Sequence, residues 1–412
     1  MTYYTRDLEE NILKYTPKRE MIAVIGTRQC GKTTLISKIL DGLEAEGKRI
    51  SRVSFDHVTD LELFETDLTS FVQLHVRDRD ILFIDEVQYA KESGKKLKYI
   101  FDTFGIKIFI SGSSSAEISI QSLKHLVGRI FIFTLHPFSF REFVRACSPR
   151  LFPLYESGKY GNTVLEELNR LFHAFVRFGG YPRVLLSDDD EERRKVLEGI
   201  YNTHLLREVR EIMHLPDDFR MVRLVKSLAL QTGGIINYND LSRRSELSYP
   251  RLKEYLNILE KTFICGFVPP WHRNRNTELV KQPKVYFHDT GFRNTCINDH
   301  SLDRVDAGAL FENFVFSELI KVGLEPGYWR TRSGAEVDYI ITCGSKVIPV
   351  EVKTSQYNVS LPRSFSSFIE KYRPLRGYIL STNFEERRTV KGCDVHFLPF
   401  VKLHFRELQN ET

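Results

Sequence analysis

Five short apolar runs mark the first third of the chain, at residues 21–25, 50–55, 81–84, 106–110 and 130–135. Stretches with helical periodicity separate them, the clearest at 33–43. Apolar runs of this length alternating with helices predict buried parallel strands. The expected unit is a doubly wound α/β domain over residues 1–140. Residues 141–215 read as mostly helical, broken once at Gly179-Gly180-Tyr181-Pro182. The charged run 188–194 reads as a solvated helix start or a hinge.

Residues 216–290 predict a helix-turn-helix unit. Helices are expected at 221–232, ended by Gly233-Gly234, then at 239–245, then from a Ser248 cap to about Lys261. Leu252, Tyr255, Leu256 and Leu259 recur at i, i+3, i+4 and i+7, which buries one face of the third helix. Residues 262–268 and 284–288 would be wing strands. Residues 291–412 mix a helix at 308–322 with strands at 337–341 and 347–353.

One loop changes the picture from fold to chemistry. Gly26-Thr27-Arg28-Gln29-Cys30-Gly31-Lys32-Thr33 fits G-x-x-x-x-G-K-[ST] between a predicted strand and a predicted helix. Its glycines let backbone N–H groups curl around phosphates, and the following helix offers its positive end to the anion. Lys32 suits the β/γ oxygens, and Thr33 suits Mg²⁺. Asp85-Glu86 ends the third run, and topology of this kind places such an acid beside the loop of a neighbouring strand. Asp85 would serve the Mg²⁺ shell, and Glu86 would align or deprotonate water. Ser111, at the end of the fourth run, can reach a γ-phosphate or simply make a turn.

Composition adds little. Of 412 residues, 42% are hydrophobic and 27% charged, as in an ordinary globular protein. The net charge of +5 permits a nucleic-acid partner without arguing for one. The six cysteines contain no C-x-x-C pair, so neither zinc nor a redox motif is indicated. The first ten residues lack an apolar signal core, and no apolar stretch approaches the ~20 residues of a membrane span. A reducing cytoplasm and no membrane partner are expected.

The loop, Asp85-Glu86 and Ser111 together resemble the AAA+ type of P-loop ATPase. The resemblance implies ATP as cofactor with Mg²⁺, and contacts from Thr34 as well as from the loop. It places Ser111 at the sensor-1 position and Arg129 at that of an intersubunit arginine finger, which implies a homo-oligomer. It places Arg183, after Gly180-Tyr181-Pro182, at the sensor-2 corner of a helical lid. Arg129 is equally readable as a surface or structural arginine.

More specifically, the chain resembles a prokaryotic family of AAA-type ATPases with a C-terminal domain of unknown function. Gly-Thr-Arg-Gln-Cys-Gly-Lys-Thr-Thr, Phe-Ile-Asp-Glu-Val-Gln, Ile-Ser-Gly-Ser-Ser and His-Pro-Phe-Ser-Phe-Arg-Glu-Phe carry the likeness. Gly-Gly-Tyr-Pro, Val-Tyr-Phe-His-Asp-Thr-Gly, Glu-Val-Asp-Tyr and Val-Glu-Val-Lys continue it in order. The implied architecture is an AAA+-like parallel sheet (1–140), a helical lid (141–215), a winged helix (216–290) and a restriction-endonuclease-like α/β domain (291–412).

Two further readings concern DNA. The third helix exposes Arg251, Lys253 and Asn257, with Arg243 and Arg244 before it and Arg273, Arg275, Lys281 and Lys284 in or near the wing. A major groove admits one such helix, and flanking cations suit phosphates. Double-stranded DNA is therefore the expected partner, although winged helices also dock proteins, and Glu246, Glu254 and Glu260 dilute the charge.

In the last region, a two-residue turn at Gly344-Ser345 would set Asp338 opposite Glu351 and Glu336 opposite Lys353, all on one face. Opposed carboxylates lie ~5 Å apart at Cβ and repel, which a divalent cation relieves. The pattern resembles the PD-(D/E)XK nuclease motif, with Glu312 on the preceding helix assisting and Glu318 as the lesser match. By spacing alone, a solvated hairpin with a Glu336–Lys353 ion pair fits as well. Pro349 is expected to mark an edge or bulge that shifts this register.

Overall fold

The computed structural model describes residues 3–113, 126–203, 219–272, 282–303, 306–344, 346–354 and 360–410. β1 (Met21–Gly26), β2 (Ile50–Ser54), β3 (Ile81–Asp85), β4 (Lys107–Ser113) and β5 (Ile130–Thr134) form one parallel sheet in the order β2-β3-β4-β1-β5. Along β1 the side chains alternate between two cores. Met21 and Ala23 pack with Leu82, Ile84 and Ile108, whereas Ile22 and Val24 pack with Phe83, Phe109 and Leu35. Both faces are covered, as parallel sheets require.

The strand order corrects one expectation. β3 is not the neighbour of β1, because β4 returns to fill the place between them. Asp85 therefore reaches the loop across the end of β4, where Ser111 stands.

The helices after β5 do not share the sheet's core. α4 (Phe140–Cys147) and α5 (Asn162–Phe178) bury Phe140, Phe143, Phe172 and Phe175 among Phe314, Val315 and Tyr339 of the C-terminal region. (α1, Asp7–Tyr15, α2, Lys32–Ala45, and α3, Ser93–Phe104, precede them.) From Phe178 onward the chain joins another core with α6 (Asp190–Tyr201), α7 (Phe219–Leu230), α8 (Tyr238–Ser245) and α9 (Tyr249–Lys261). The charged run 188–194 is a helix start, with Asp189 Oδ1 accepting from Glu192 N at 2.8 Å.

α9 buries Leu252, Tyr255, Leu256 and Leu259, as its periodicity predicts. Ser248 takes the N-cap position but makes no side-chain cap bond; Pro250 in the first turn lacks one of the N–H groups that would need capping. β6 (Cys265–Val268) and β7 (Lys284–Phe287) follow as an antiparallel pair.

α10 (Thr290–Cys296) and α11 (Ala307–Lys321) lead into a mixed sheet. Its strands are β8 (Gly327–Arg330), β9 (Glu336–Cys343), β10 (Lys346–Val352), β11 (Arg376–Ser381), β12 (Glu386–Val390) and β13 (Cys393–Pro399), in the order β12-β13-β11-β10-β9-β8. β9 and β10 pair from Cys343↔Lys346 to Tyr339↔Val350 without a shift. Pro349 thus causes no bulge, contrary to expectation. β11 joins β10 only from Val350, so at Pro349 one flank needs no backbone donor.

Two glycine motifs meet at the joint between these units. Asp289 Oδ2 accepts from Gly180 N at 2.8 Å and caps α10 through Phe292 N. A Cβ on Gly180 would stand 2.3 Å from the Phe138 carbonyl oxygen, and one on Gly291 2.1 Å from that of Phe178. Gly-Gly-Tyr-Pro and His-Asp-Thr-Gly are therefore the two halves of one close backbone contact.

Candidate functional site

Three strand ends converge on the phosphate-type loop. Gly26 is required at its base, since a Cβ there would lie 2.1 Å from the Leu135 carbonyl oxygen. Gly31 opens α2 with φ +97°, a left-handed conformation that favours glycine. Gln29 also has a positive φ, 60°. Lys32 is buried, and its Nζ donates to the Gly26 and Thr27 carbonyls at 3.0 Å each. The Thr27 hydroxyl is buried without a partner. Arg28 donates to the Tyr89 hydroxyl at 2.9 Å, Cys30 is buried, and Thr33 and Thr34 face outward from the first turn of α2.

Thr33 Oγ1 lies 3.1 and 3.0 Å from the two oxygens of Asp85. Ser111, fully buried on β4, hydrogen-bonds Asp85 and accepts from Glu86 N at 3.2 Å. Glu86 has φ 54°, an uncommon conformation for a residue of its kind. Its carboxylate is bonded by the Gln88 amide, and Gln88 Oε1 accepts from Ser113 N at 3.3 Å. Gln88 belongs to the Phe-Ile-Asp-Glu-Val-Gln segment, but its spacing alone does not show that it restrains Glu86.

A second unforeseen residue is Arg6. Its guanidinium donates to the Cys30 carbonyl (2.8 Å), the His136 carbonyl (2.6 Å) and Glu142 on α4 (3.0 Å). It thereby ties the loop to the helical region. The carboxyl of Glu142 is driven up by burial, but Arg6 and backbone donors outweigh this and bring it below its ordinary range.

Arg129 and Arg183 each pair with an acid outside the loop. Arg129 precedes β5, at the sheet end opposite Gly26, and its Nε is 2.9 Å from Asp102 on α3. Arg183 pairs with Glu192 at 3.0 Å and is about half exposed.

The C-terminal carboxylates do gather. Asp338 and Glu351 each lie one residue beyond the last β9–β10 pair, Tyr339↔Val350; both are buried, and Asp338 Oδ2 accepts from Val352 N at 2.8 Å. Glu312 comes from α11, where Tyr286 donates to its Oε2 at 2.9 Å. Burial, then the neighbouring Asp338, pushes the carboxyls of Glu312 and Glu351 up to about 8. Burial also raises Asp338. Glu351 Oε2 is buried with no hydrogen-bond partner. The expected Glu336–Lys353 pair does not form. Lys353 binds Glu351 at 2.6 Å, and Glu336 binds Lys284 at 2.6 Å and Arg330 at 3.3 Å. Glu318 faces elsewhere, accepting from Phe140 N at 3.0 Å. Among the described residues, no set of three or more His, Cys, Asp or Glu side chains is drawn together closely enough to cage a metal.

Lys284 also corrects the wing reading. It is 2% exposed and points into the acid cluster, so it is not a phosphate-binding cation. In β7 every side chain is buried, and the lysine is accommodated because carboxylates surround it. Arg273, Arg275 and Lys281 lie outside the described residues. Arg243 and Arg244 both pair with Asp240 at 2.7 Å, and Arg251 pairs with Glu254 at 2.8 Å. Lys253 Nζ stands 3.5 Å from the centre of the Tyr238 ring, and Asn257 is exposed. No helix among the described residues is long and apolar enough to cross a membrane.

Comparison with known proteins divides the chain into three. Residues 18–144 match an AAA domain, 169–303 a domain of unknown function (DUF8612), and 307–402 another (DUF4143). An uncharacterized protein of Haemophilus influenzae is 23% identical over 346 residues, covering 81% of this chain and 82% of its own. An uncharacterized protein of Methanocaldococcus jannaschii is 24% identical over 360 residues, covering 82% and 74%. The solved Aeropyrum pernix Orc1 protein in complex with DNA aligns over 73% of this chain and 93% of its own, at 15% identity. The TM-score of that alignment is 0.34. What the matches give is an AAA domain around the phosphate-type loop, followed by two domains whose descriptions assign no activity.

Proposed function

We propose that this chain binds ATP with Mg²⁺ at residues 26–34 and hydrolyses it. The observation that carries the reading is the meeting of Thr33 with Asp85 at 3.0 Å, directly after a loop that already enfolds the Lys32 ammonium. Two oxygen ligands at one point, beside backbone donors and a helix N-terminus, suit a phosphate-bound Mg²⁺. That ion would neutralise charge on the β and γ oxygens. Lys32 would turn from its loop carbonyls to the phosphates. Glu86, once released by Gln88, would orient the attacking water, and Ser111 would keep Asp85 and the Glu86 backbone in place. Arg183 is assigned to the lid side of the nucleotide and Arg129 to the nucleotide of a neighbouring subunit. Titration with a fluorescent ATP analogue tests the binding step: Lys32→Ala should lose most of the affinity.

The nucleotide state would act on DNA held by α9, with Arg243, Arg244, Arg251, Lys253 and Asn257 as contacts in a winged-helix arrangement. Asp338 and Glu351, assisted by Glu312 and Lys353, would form a nuclease-like divalent-cation site. The partnerless Glu351 oxygen and the raised carboxyls support this, because a cation relieves both. Metal-dependent DNA cleavage is the stronger form of the reading.

One observation favours a second reading, a nucleotide-regulated switch that docks proteins and does not cleave. The arginines of α8 and α9 are already matched by Asp240 and Glu254, which lowers the free positive charge. Salt-dependent DNA affinity that falls on changing Arg251 and Lys253 supports DNA; affinity for DNA that ignores both changes supports the switch.

A further inference from the structure

Lys284 is the one basic residue of β7, yet it serves another unit of the fold. Its Nζ lies 2.6 Å from Glu336, 3.8 Å from Glu312 and 3.8 Å from Asp338, one carboxylate from α11 and two from β9. With three carboxylates within 4 Å, the ammonium is the counter-charge of the cluster. Two of these, Asp338 and Glu312, belong with Glu351 to the site assigned above to a divalent cation.

We propose that Lys284 is a built-in counter-cation that occupies the acid cluster and competes with a divalent cation for it. The inference rests on the reading of Asp338 and Glu351 as a cation site. A divalent ion shared by Asp338 and Glu312 would sit about 2 Å from each oxygen. It would then stand within a few ångströms of Nζ, where like charges in a partly desolvated site repel strongly. Entry of the ion therefore requires that the ammonium withdraw. Glu336 and Lys353, at the edge of the cluster, have side chains 27% and 37% exposed, so an ion would enter from that side. Lys284 comes from β7, whose Tyr286 shares a core with Tyr339 and Val350 of the C-terminal sheet.

The test is Mn²⁺ binding by the full chain, read by electron paramagnetic resonance of free Mn²⁺ and independent of any activity. Asp85→Asn without nucleotide is the background, so that the cation ligand of the ATP site adds no signal. Lys284→Met should bind Mn²⁺ roughly tenfold or more tighter than the same chain with Lys284 intact. Adding Asp338→Asn should remove the gain, and Lys284→Arg should bind as weakly as lysine. Should Lys284→Met fold poorly without metal, Mn²⁺ should raise its melting temperature more than that of the lysine-containing chain. Asp338-dependent binding of equal strength with lysine and methionine would overturn the competition while leaving the cation site standing. No Asp338-dependent binding in any variant would overturn both.

Discussion

Arg6 and Glu142 form an ion pair at 3.0 Å across 136 residues of sequence, each side chain about 5% exposed. Glu142 also closes a capping box with Ser139 at the start of α4, and Arg6 also holds the Cys30 carbonyl. One buried pair therefore anchors the phosphate-type loop to the helical region.

Removing one partner leaves a buried charge unpaired, which costs about 3–5 kcal/mol. Glu142→Gln should lower stability to urea by that order, and Arg6→Met likewise. The double variant Arg6→Met/Glu142→Leu should cost clearly less than the two singles added together. Additive losses would mean the pair is not coupled.

The glycine contact gives a prediction with an internal control. Gly180→Ala places a methyl group against the Phe138 carbonyl and should destabilise by about 1–3 kcal/mol or more. Gly199→Ala, inside α6 with nothing within 4 Å, should leave stability unchanged or raise it by up to about 1 kcal/mol. Thermal melts of the two variants compare them directly.

His136 and His288 stack at 5.4 Å, His288 buried and His136 half-buried, facing Phe263 and Phe316 and near Lys321 and Arg6. Burial and Lys321 push His288 down to about 4, and burial pushes His136 well down. In the unfolded chain a histidine takes up its proton near 6.5. The stability that His288 contributes is thus complete at neutral pH and lost as pH falls from about 6.5 towards 4, by roughly 3 kcal/mol at pH 4. His288→Phe should flatten that part of the acid limb in chemical denaturation. An unchanged limb would count against a neutral buried His288.

Arg129→Ala should lose ATP turnover if Arg129 acts on a neighbour's nucleotide. Mixing it with Lys32→Ala, which keeps Arg129 but lacks the lysine, should restore part of the activity. Absence of recovery in the mixture would reassign Arg129 to its Asp102 pair alone.

What the sequence made legible was local or periodic. The loop lies within eight residues, and the β9–β10 register from Cys343↔Lys346 to Tyr339↔Val350 is the one a two-residue turn sets. What it hid depends on chain crossings. Nothing near Arg6 announces Glu142. Lys284 looked like a wing cation because cations beside a helix suit phosphates, whereas the fold turns it towards acids some 30–50 residues further along. The place of β4 between β1 and β3 was likewise a matter of topology, not of any residue in those strands.

The central claim is that the loop and Glu86 together hydrolyse ATP. The direct measurement is Mg²⁺-dependent phosphate release by wild type and Glu86→Gln, with ATP binding measured on the same samples. Binding should be nearly equal and turnover at least about 100-fold slower in Glu86→Gln, because binding needs the loop and hydrolysis needs aligned water. Equal turnover in the two proteins would contradict the claim.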